Sequence, residues 1–138
     1  MSVANHKRGE IKIELGGKSF ILTPTYRAMA TIDGALREVF DDSTYTFDSF
    51  IQDIASGRQR LASSAAVIYG GIVGNNPRTK VTLEEVQEMV FAELSEGGYS
   101  KISDTCTIFG ATLFRGGKPL EVEESSDDSE EDGDAEKK

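Results

Sequence analysis

The chain has one histidine and one cysteine, side-chain types that often supply general bases, nucleophiles and zinc ligands. His6 lies in a polar N-terminal segment, which favours a solvated side chain over a catalytic one. Cys106 falls on the apolar face of a predicted helix, whereas reactive thiols prefer electropositive, partly exposed positions. One His and one Cys also fall short of the usual zinc ligand set. We therefore expect a solvated His6 and a buried, structural Cys106.

Paired carboxylates and clustered glycines are the next candidates for chemistry. Asp41 and Asp42 stand in a predicted loop, but further ligands are not spaced as in a calcium-binding loop. Glu84 and Glu85 fall in the first turn of a predicted helix, where the helix dipole favours negative charge. Residues 70–74 are glycine-rich but lack the lysine and the spacing of a phosphate-binding loop. We therefore expect no catalytic, metal or cofactor site, and a protein that is not an enzyme.

The negative charge of the chain is concentrated at its C-terminal end. Residues 121–138 contain ten acidic residues and two lysines, for a net charge of −8, out of −9 for the whole chain. The remaining 120 residues hold 13 basic and 14 acidic side chains, with no basic cluster of the kind that neutralises phosphates. Because Ser, Asp and Glu bury too little apolar area, residues 119–138 are predicted to be a disordered acidic tail. We expect no nucleic-acid partner.

Other sequence features concern the compartment. No apolar run reaches the roughly 18 residues needed to span a bilayer. The polar N-terminus lacks the apolar core of a signal peptide. A single cysteine excludes an intrachain disulfide and suits a reducing compartment. We expect a soluble, cytoplasmic protein without a membrane partner.

The first predicted element is a β-hairpin. Residues 1–9 contain little apolar surface and are predicted to be flexible. Ile11, Ile13 and Leu15 alternate with polar residues, which places them on one face of a strand. Gly16, Gly17 and Lys18 can form the turn, and residues 19–23 can return as the second strand.

Apolar residues at spacings of three and four predict helices after the hairpin. Thr23 is the expected N-cap of the first helix, with Pro24 at its start. Thr46 is the expected cap of the second, Gly57 the expected end, and Gly34 an interior glycine that weakens the first helix. The predicted buried stripes of these two helices are Tyr26, Met29, Ile32, Leu36, Val39 and Phe40 in the first and Phe47, Phe50, Ile51 and Ile54 in the second.

Three further helices are predicted. The third contains Leu61 to Ile72, and its glycine pair Gly70 and Gly71 is expected to weaken the last turn. Thr82 and Glu85 form a capping-box pattern that begins the fourth helix. The last helix is expected from about Ser100 to Arg115. The predicted buried stripes are Leu83, Val86, Val90, Phe91 and Leu94 in the fourth helix and Ile102, Cys106, Phe109 and Leu113 in the last. The predicted fold is thus α+β and mostly α, with residues 10–118 as one domain.

The order of these elements resembles a family of tail assembly chaperones of long-tailed phages and gene transfer agents. The similarity lies in a Gly9-Glu10 strand with its glycine turn, a Leu22-x-Pro24-Thr25-Tyr26 step into an alanine-containing helix, and the Val81–Val86 helix start, and it covers about residues 9–115. Gly34 and the acidic tail depart from the family pattern.

The resemblance implies a chaperone that binds the tape measure protein, a long helical chain with apolar faces, and keeps it soluble during tail assembly. It implies the bacterial host cytoplasm, absence from the mature virion, and a possible frameshifted longer form. The tail tube protein and a second copy of the chain are further candidate partners. The partner-binding candidates are Pro24, Thr25, Tyr26, Tyr69 and Tyr99, although core packing is a competing interpretation for each tyrosine.

Two alternatives stay open at this point. The chain could instead be a structural virion component, such as a tail tube or head–tail connector subunit. A host regulatory adaptor with a phosphorylated acidic tail is a third interpretation, which requires a eukaryotic source.

Overall fold

The computed structural model describes residues 4–119, which form a β-hairpin followed by five α-helices, in agreement with the predicted α+β, mostly helical fold. Single 3-10 turns at His6–Arg8 and Leu61–Ser63 complete the secondary structure of this range. Apart from Pro119, the predicted acidic tail lies outside the described residues. The elements are β1 (Ile11–Leu15), β2 (Lys18–Leu22), α1 (Tyr26–Phe40), α2 (Phe47–Ala55), α3 (Ser64–Asn75), α4 (Leu83–Ser95) and α5 (Tyr99–Phe114).

The hairpin forms as predicted, except that Lys18, which the sequence assigns to the turn, begins β2. Ile11 pairs with Leu22, and Leu15 pairs with Lys18 across the turn. Gly16 and Gly17 both have positive φ, which the two-residue hairpin turn requires. The alternation therefore turns one face of β1 toward the helices and leaves the other face in solvent.

Helix α3 lies at the centre of the fold. Its residues from Ser64 to Ile68, together with Gly70, Gly71 and Ile72, are all buried, so that it has no polar face. A helix that is apolar all round must be covered on every side, and α1, α4, α5 and β2 provide that cover. The predicted weak last turn is wrong, because α3 continues without a break to Asn75.

The start of α1 differs from the prediction by two residues. Thr25, and not Thr23, is the N-cap, since its hydroxyl accepts a hydrogen bond from the Ala28 N–H at 3.0 Å. Thr23 is buried instead, where its hydroxyl donates to Glu10 Oε2 at 3.2 Å and accepts from Asn75 Nδ2 at 3.1 Å. A local capping signal could not reveal these long-range partners of Thr23.

The remaining helix ends follow the predicted signals. Thr46 caps α2, and Gly57 has a positive φ just after the helix ends. Thr82 and Glu85 form the predicted reciprocal capping box of α4. Helix α5 begins and ends one residue earlier than predicted, and its stripe of Ile102, Cys106, Phe109 and Leu113 is buried as predicted.

Part of the polar N-terminal segment has a defined position next to the hairpin. Glu10 is buried, and its Oε1 accepts a hydrogen bond from the Asn5 N–H at 2.8 Å. Gly9 packs so closely that an added β-carbon would lie 2.9 Å from the Gly117 carbonyl oxygen. The flexibility predicted for residues 1–9 stays a prediction, but His6–Arg8 form a helical turn within it.

Candidate functional site

The single thiol is in the core. Cys106 is fully buried on α5, and its Sγ donates a weak hydrogen bond to the Ser64 carbonyl at 3.8 Å. Burial raises the pKa of this thiol to about 12, so it stays protonated at neutral pH. A thiol that is both protonated and inaccessible is a poor nucleophile, and the predicted burial of Cys106 is confirmed.

The single histidine is exposed, as predicted. His6 lies at the edge of a small depression of about 200 Å³ that Glu10, Ile108 and Thr112 also line. Within residues 4–119, no group of three or more His, Cys, Asp and Glu side chains is arranged to hold a metal ion.

A polar cluster that the sequence did not reveal surrounds Tyr45. The buried Tyr45 hydroxyl donates to the carboxylate of Asp53, whose Oδ2 also lies 3.7 Å from Arg60 Nε. The Arg60 guanidinium lies 4.8 Å from the centre of the Tyr45 ring and 5.1 Å from that of Phe40. Burial and the hydrogen bond to Asp53 raise the pKa of Tyr45. The cluster joins the α1–α2 loop to α2 and the segment before α3, which is a structural role.

Three of the predicted partner-binding residues lie together at the start of α1. Pro24, Thr25 and Tyr26 line a shallow groove of about 260 Å³, which we call the α1 surface. Met29, Leu113, Gly116 and Gly117 complete its lining. The side chain of Tyr26 is 81% exposed, which contradicts both core packing and its place in the predicted buried stripe of α1.

The α1 surface continues on the other side of Tyr26. A second groove of about 520 Å³ has Tyr26, Met29 and Phe47 in its lining, together with the ion pair between Arg37 and Asp33. Asp33 also accepts a hydrogen bond from the Phe47 N–H at 2.7 Å and so holds the start of α2 against α1. Tyr26 therefore projects between a mainly apolar groove and a more polar one.

The other two predicted partner-binding tyrosines lie elsewhere. Tyr69 is half-buried on α3 and packs against the core, which agrees with the core interpretation. Tyr99 begins α5 with 57% of its surface exposed and lines none of the grooves described in this section. Partner binding by these residues stays a prediction, but the structure does not bring them to the α1 surface.

A further apolar groove lies along α4. We call it the α4 groove; it has a volume of about 470 Å³ and is lined by Val39, Leu61, Ala62, Ala65, Gln87, Val90, Phe91 and Leu94. Phe91 is 74% exposed, and Leu61 is partly exposed. The prediction that Phe91 is buried is wrong, because Val86 and Val90 already fill the core-facing side of α4.

The shape of the α4 groove follows from the elements that form it. Ala62 and Ala65 are small and lie where the 3-10 turn Leu61–Ser63 enters α3, so they leave space beneath Phe91 and Leu94. The capping box fixes the first turn of α4, with Glu85 N–H to Thr82 Oγ1 at 3.1 Å and Thr82 N–H to Glu85 Oε1 at 2.9 Å. The groove is thus an open, mainly apolar depression bordered by regular elements.

Comparisons with models of protein families, with curated proteins and with solved structures gave no significant match. Across residues 4–119, no helix combines the length and the apolar character needed to cross a membrane. The functional interpretation therefore rests on the residues themselves and on the surfaces that they form.

A signal for Phe91 was present in the sequence. Leu83, Val86, Val90 and Leu94 at spacings of three and four already make a complete apolar stripe for α4. Phe91 is adjacent to Val90 and so lies about 100° further round the helix. An aromatic residue beyond a complete stripe is a candidate for an exposed anchor.

Proposed function

We propose that this protein is a tail assembly chaperone of a long-tailed phage or phage-like particle, which binds the tape measure protein and keeps it soluble before the tail tube surrounds it. The observation that carries the proposal is the α4 groove, an open and mainly apolar depression with Phe91 exposed in its lining. Contiguous exposed apolar surface of this kind is typical of protein-binding sites.

The physical task of such a chaperone suits this surface. A long helix with apolar faces aggregates in water, because its faces can be buried only against one another. An apolar groove can cover such a face, and aromatic residues are over-represented among the side chains that dominate binding energy. The exposed Tyr26 on the α1 surface supplies a second aromatic contact.

The reactive side chains support binding over catalysis. The pKa of the buried Cys106 thiol is far above neutral pH, and among residues 4–119 the depression beside the exposed His6 has Glu10 as its other ionisable lining residue. The Glu10 carboxylate is already engaged by Asn5 and Thr23. These groups form neither a nucleophile–base pair nor an acid–base pair in a deep pocket.

The proposal includes the cellular setting that the resemblance implies. The protein acts in the cytoplasm of the bacterial host and leaves the particle before maturation. The tail tube protein and a second copy of the chain are candidate partners during this process. The almost neutral body and the acidic tail disfavour nucleic acid as a partner.

The alternative role as a tail tube subunit receives less support. Tail tube subunits form rings mainly from β-strands, whereas residues 4–119 contain a single two-stranded hairpin and five helices. A head–tail connector subunit is the remaining structural alternative, and its presence in finished particles would distinguish it from a chaperone.

Co-expression with the long helical protein encoded next downstream tests the proposal. We expect that protein to be soluble only when this chain is present, and to be recovered with it by affinity pull-down. Finished particles should lack this chain. The helical protein could be equally insoluble with and without this chain, while this chain is found in purified particles. That result would show that this chain is a structural subunit.

A further inference from the structure

The charged residues that adjoin the lining of the α4 groove along the chain are unbalanced. Four charged residues are sequence neighbours of its lining residues: Glu38, Arg60, Glu88 and Glu93. Arg60 is engaged by Asp53, and Glu93 Oε2 lies 2.7 Å from Lys101 Nζ. In the described part of the chain, Glu38 and Glu88 form no ion pair. Of these four residues, the two without an ion pair are therefore both acidic, and Glu88 lies about one helical turn from Phe91 on α4.

Helix α4 itself is acidic along its whole length. It carries four glutamates and no basic residue. Glu85 belongs to the capping box and Glu93 is paired with Lys101, while Glu84 and Glu88 are exposed. A partner that covers Phe91 comes close to these exposed carboxylates and is stabilised if it carries positive charge there.

The apolar part of the groove suits a helix. Gln87, Val90, Phe91 and Leu94 follow the spacing i, i+3, i+4 and i+7, which forms a ridge along α4. The small Ala62 and Ala65 leave a channel beside this ridge. Ridges of side chains on one helix pack into channels of this kind on another.

We propose that the α4 groove binds an amphipathic helix of a partner protein whose apolar stripe is flanked by lysine or arginine residues. The inference deepens the proposed function. Only the identification of the bound helix as a segment of the tape measure protein rests on that proposed function. The shape of the α4 groove favours the apolar stripe of the bound helix. Glu38 and Glu88, which form no ion pair in the described part of the chain, favour basic residues beside that stripe.

The acidic end of the chain must be separated from the groove in any test. Residues 121–138 carry a net charge of −8, which attracts basic peptides without any contribution from the groove. Variants that change only the groove and keep these residues allow this background to be subtracted.

The test uses the full-length chain and two synthetic helical peptides with the same leucine stripe, one flanked by lysines and one by glutamates. Binding is measured by fluorescence anisotropy at physiological salt. We expect tighter binding of the lysine peptide, and a loss of about 30-fold in Phe91→Ala, which corresponds to a hot-spot aromatic residue. The matched control Phe114→Ala removes an aromatic side chain of similar exposure (65%) on α5 and should leave the Kd unchanged.

The charge requirement has its own variant. Glu38→Gln combined with Glu88→Gln should weaken the lysine peptide about fivefold, the combined effect of two exposed ion pairs, without weakening the glutamate peptide. Glu96→Gln removes a carboxylate beyond the groove-lining part of α4 and serves as the control. Equal binding of the two peptides by the unchanged chain would overturn the charge part of the proposal.

Two other results would overturn the proposal as a whole. Unchanged lysine-peptide binding in Phe91→Ala would show that the peptide binds at the tail or elsewhere. A dimer in sedimentation experiments that Phe91→Ala dissociates would make a second copy the occupant of the groove.

Retained peptide binding without rescue of the downstream protein would refute the chaperone function and leave the groove inference intact.

Discussion

Ile32 of α1 packs directly against the backbone of Gly70 in α3. A β-carbon added to Gly70 would lie 2.2 Å from Ile32 Cγ1 and 2.9 Å from the Ala28 carbonyl oxygen. The glycine therefore allows α1 and α3 to approach more closely than any side chain would permit. This close approach explains why a helix-weakening residue stands in the middle of the central helix.

Gly70→Ala is expected to lower the free energy of unfolding by about 1–3 kcal/mol, because the added methyl group overpacks the α1–α3 contact. Gly34→Ala is the matched control within a helix. A β-carbon at Gly34 meets nothing within 4 Å, so this change should stabilise α1 by about 0.5–1 kcal/mol. Urea unfolding followed by circular dichroism measures both. Equal effects of the two changes would contradict the packing argument.

Cys106 is expected to make stability depend on pH in the alkaline range. Its pKa is about 12 in the folded chain, against an ordinary value of 9.0. Below pH 9 the thiol is protonated in both states and contributes no pH dependence. Above pH 9 the unfolded chain loses the proton and the folded chain keeps it. The free energy of unfolding should therefore fall by about 1.4 kcal/mol per pH unit as the pH rises toward 12.

The Cys106 contribution can be isolated by comparison with Cys106→Ala. Other groups that titrate at high pH, including Tyr45, are shared by the two chains. We expect the difference in stability between them to be constant from pH 7 to about pH 9 and then to change with the slope given above. Parallel curves through pH 10.5 would show that the thiol ionises as readily in the folded chain as in the unfolded one.

Tyr45→Phe tests the polar cluster with Asp53 and Arg60. Removing the hydroxyl deletes a hydrogen bond to a carboxylate that keeps only its Arg60 partner, and we expect a loss of about 2 kcal/mol in stability. Tyr99→Phe removes the same atom from an exposed side chain and should change stability by less than about 0.5 kcal/mol. Thermal unfolding of the two variants measures both changes in stability.

Thr82→Ala should destabilise the protein by about 1 kcal/mol, because the first turn of α4 loses the hydroxyl that accepts from the Glu85 N–H. Glu85→Gln is the control, since a glutamine oxygen can still accept from the Thr82 N–H. Hydrogen exchange should show faster exchange at the start of α4 in Thr82→Ala alone. Faster exchange in both variants would mean that the charge of Glu85, and not the capping box, holds the turn.

Tyr26→Ala tests the α1 surface independently of the α4 groove. The side chain is 81% exposed, so stability should change by less than about 0.5 kcal/mol. We expect a lower yield of soluble helical partner in co-expression, because an aromatic contact is lost. Ile108→Ala, on another part of the surface, is the control. A full yield with Tyr26→Ala would leave the α4 groove as the binding surface.

The sequence predicts one part of the candidate site and misses another. The sequence places Pro24, Thr25 and Tyr26 among the partner-binding candidates, and these three residues do line one surface. The sequence also predicts that Phe91 is buried, although Phe91 lines the α4 groove and is exposed. Periodicity identifies which residues are apolar on a helix, but not how wide a stripe the neighbouring elements cover.

The secondary-structure elements follow from local signals in the sequence. Alternating residues and a glycine pair specified the hairpin, spacings of three and four specified the helices, and Thr46 and Thr82 specified two helix starts. Such signals act between residues that are close along the chain, so most of them hold whatever the tertiary context, whereas the capping signal of Thr23 is overridden by its contacts with Glu10 and Asn75.

The tertiary structure alone decided what lies between distant elements. Thr23 bonds Glu10 and Asn75 instead of capping α1, Gly70 receives Ile32 instead of weakening α3, and Phe91 stays in solvent. Burial depends on which surfaces meet after folding, and the hydrogen bond between Thr23 and Asn75, for example, joins residues 52 positions apart. The unpaired charge beside the α4 groove is acidic because Arg60 pairs with Asp53 and Glu93 pairs with Lys101, and both ion pairs form only in the folded chain.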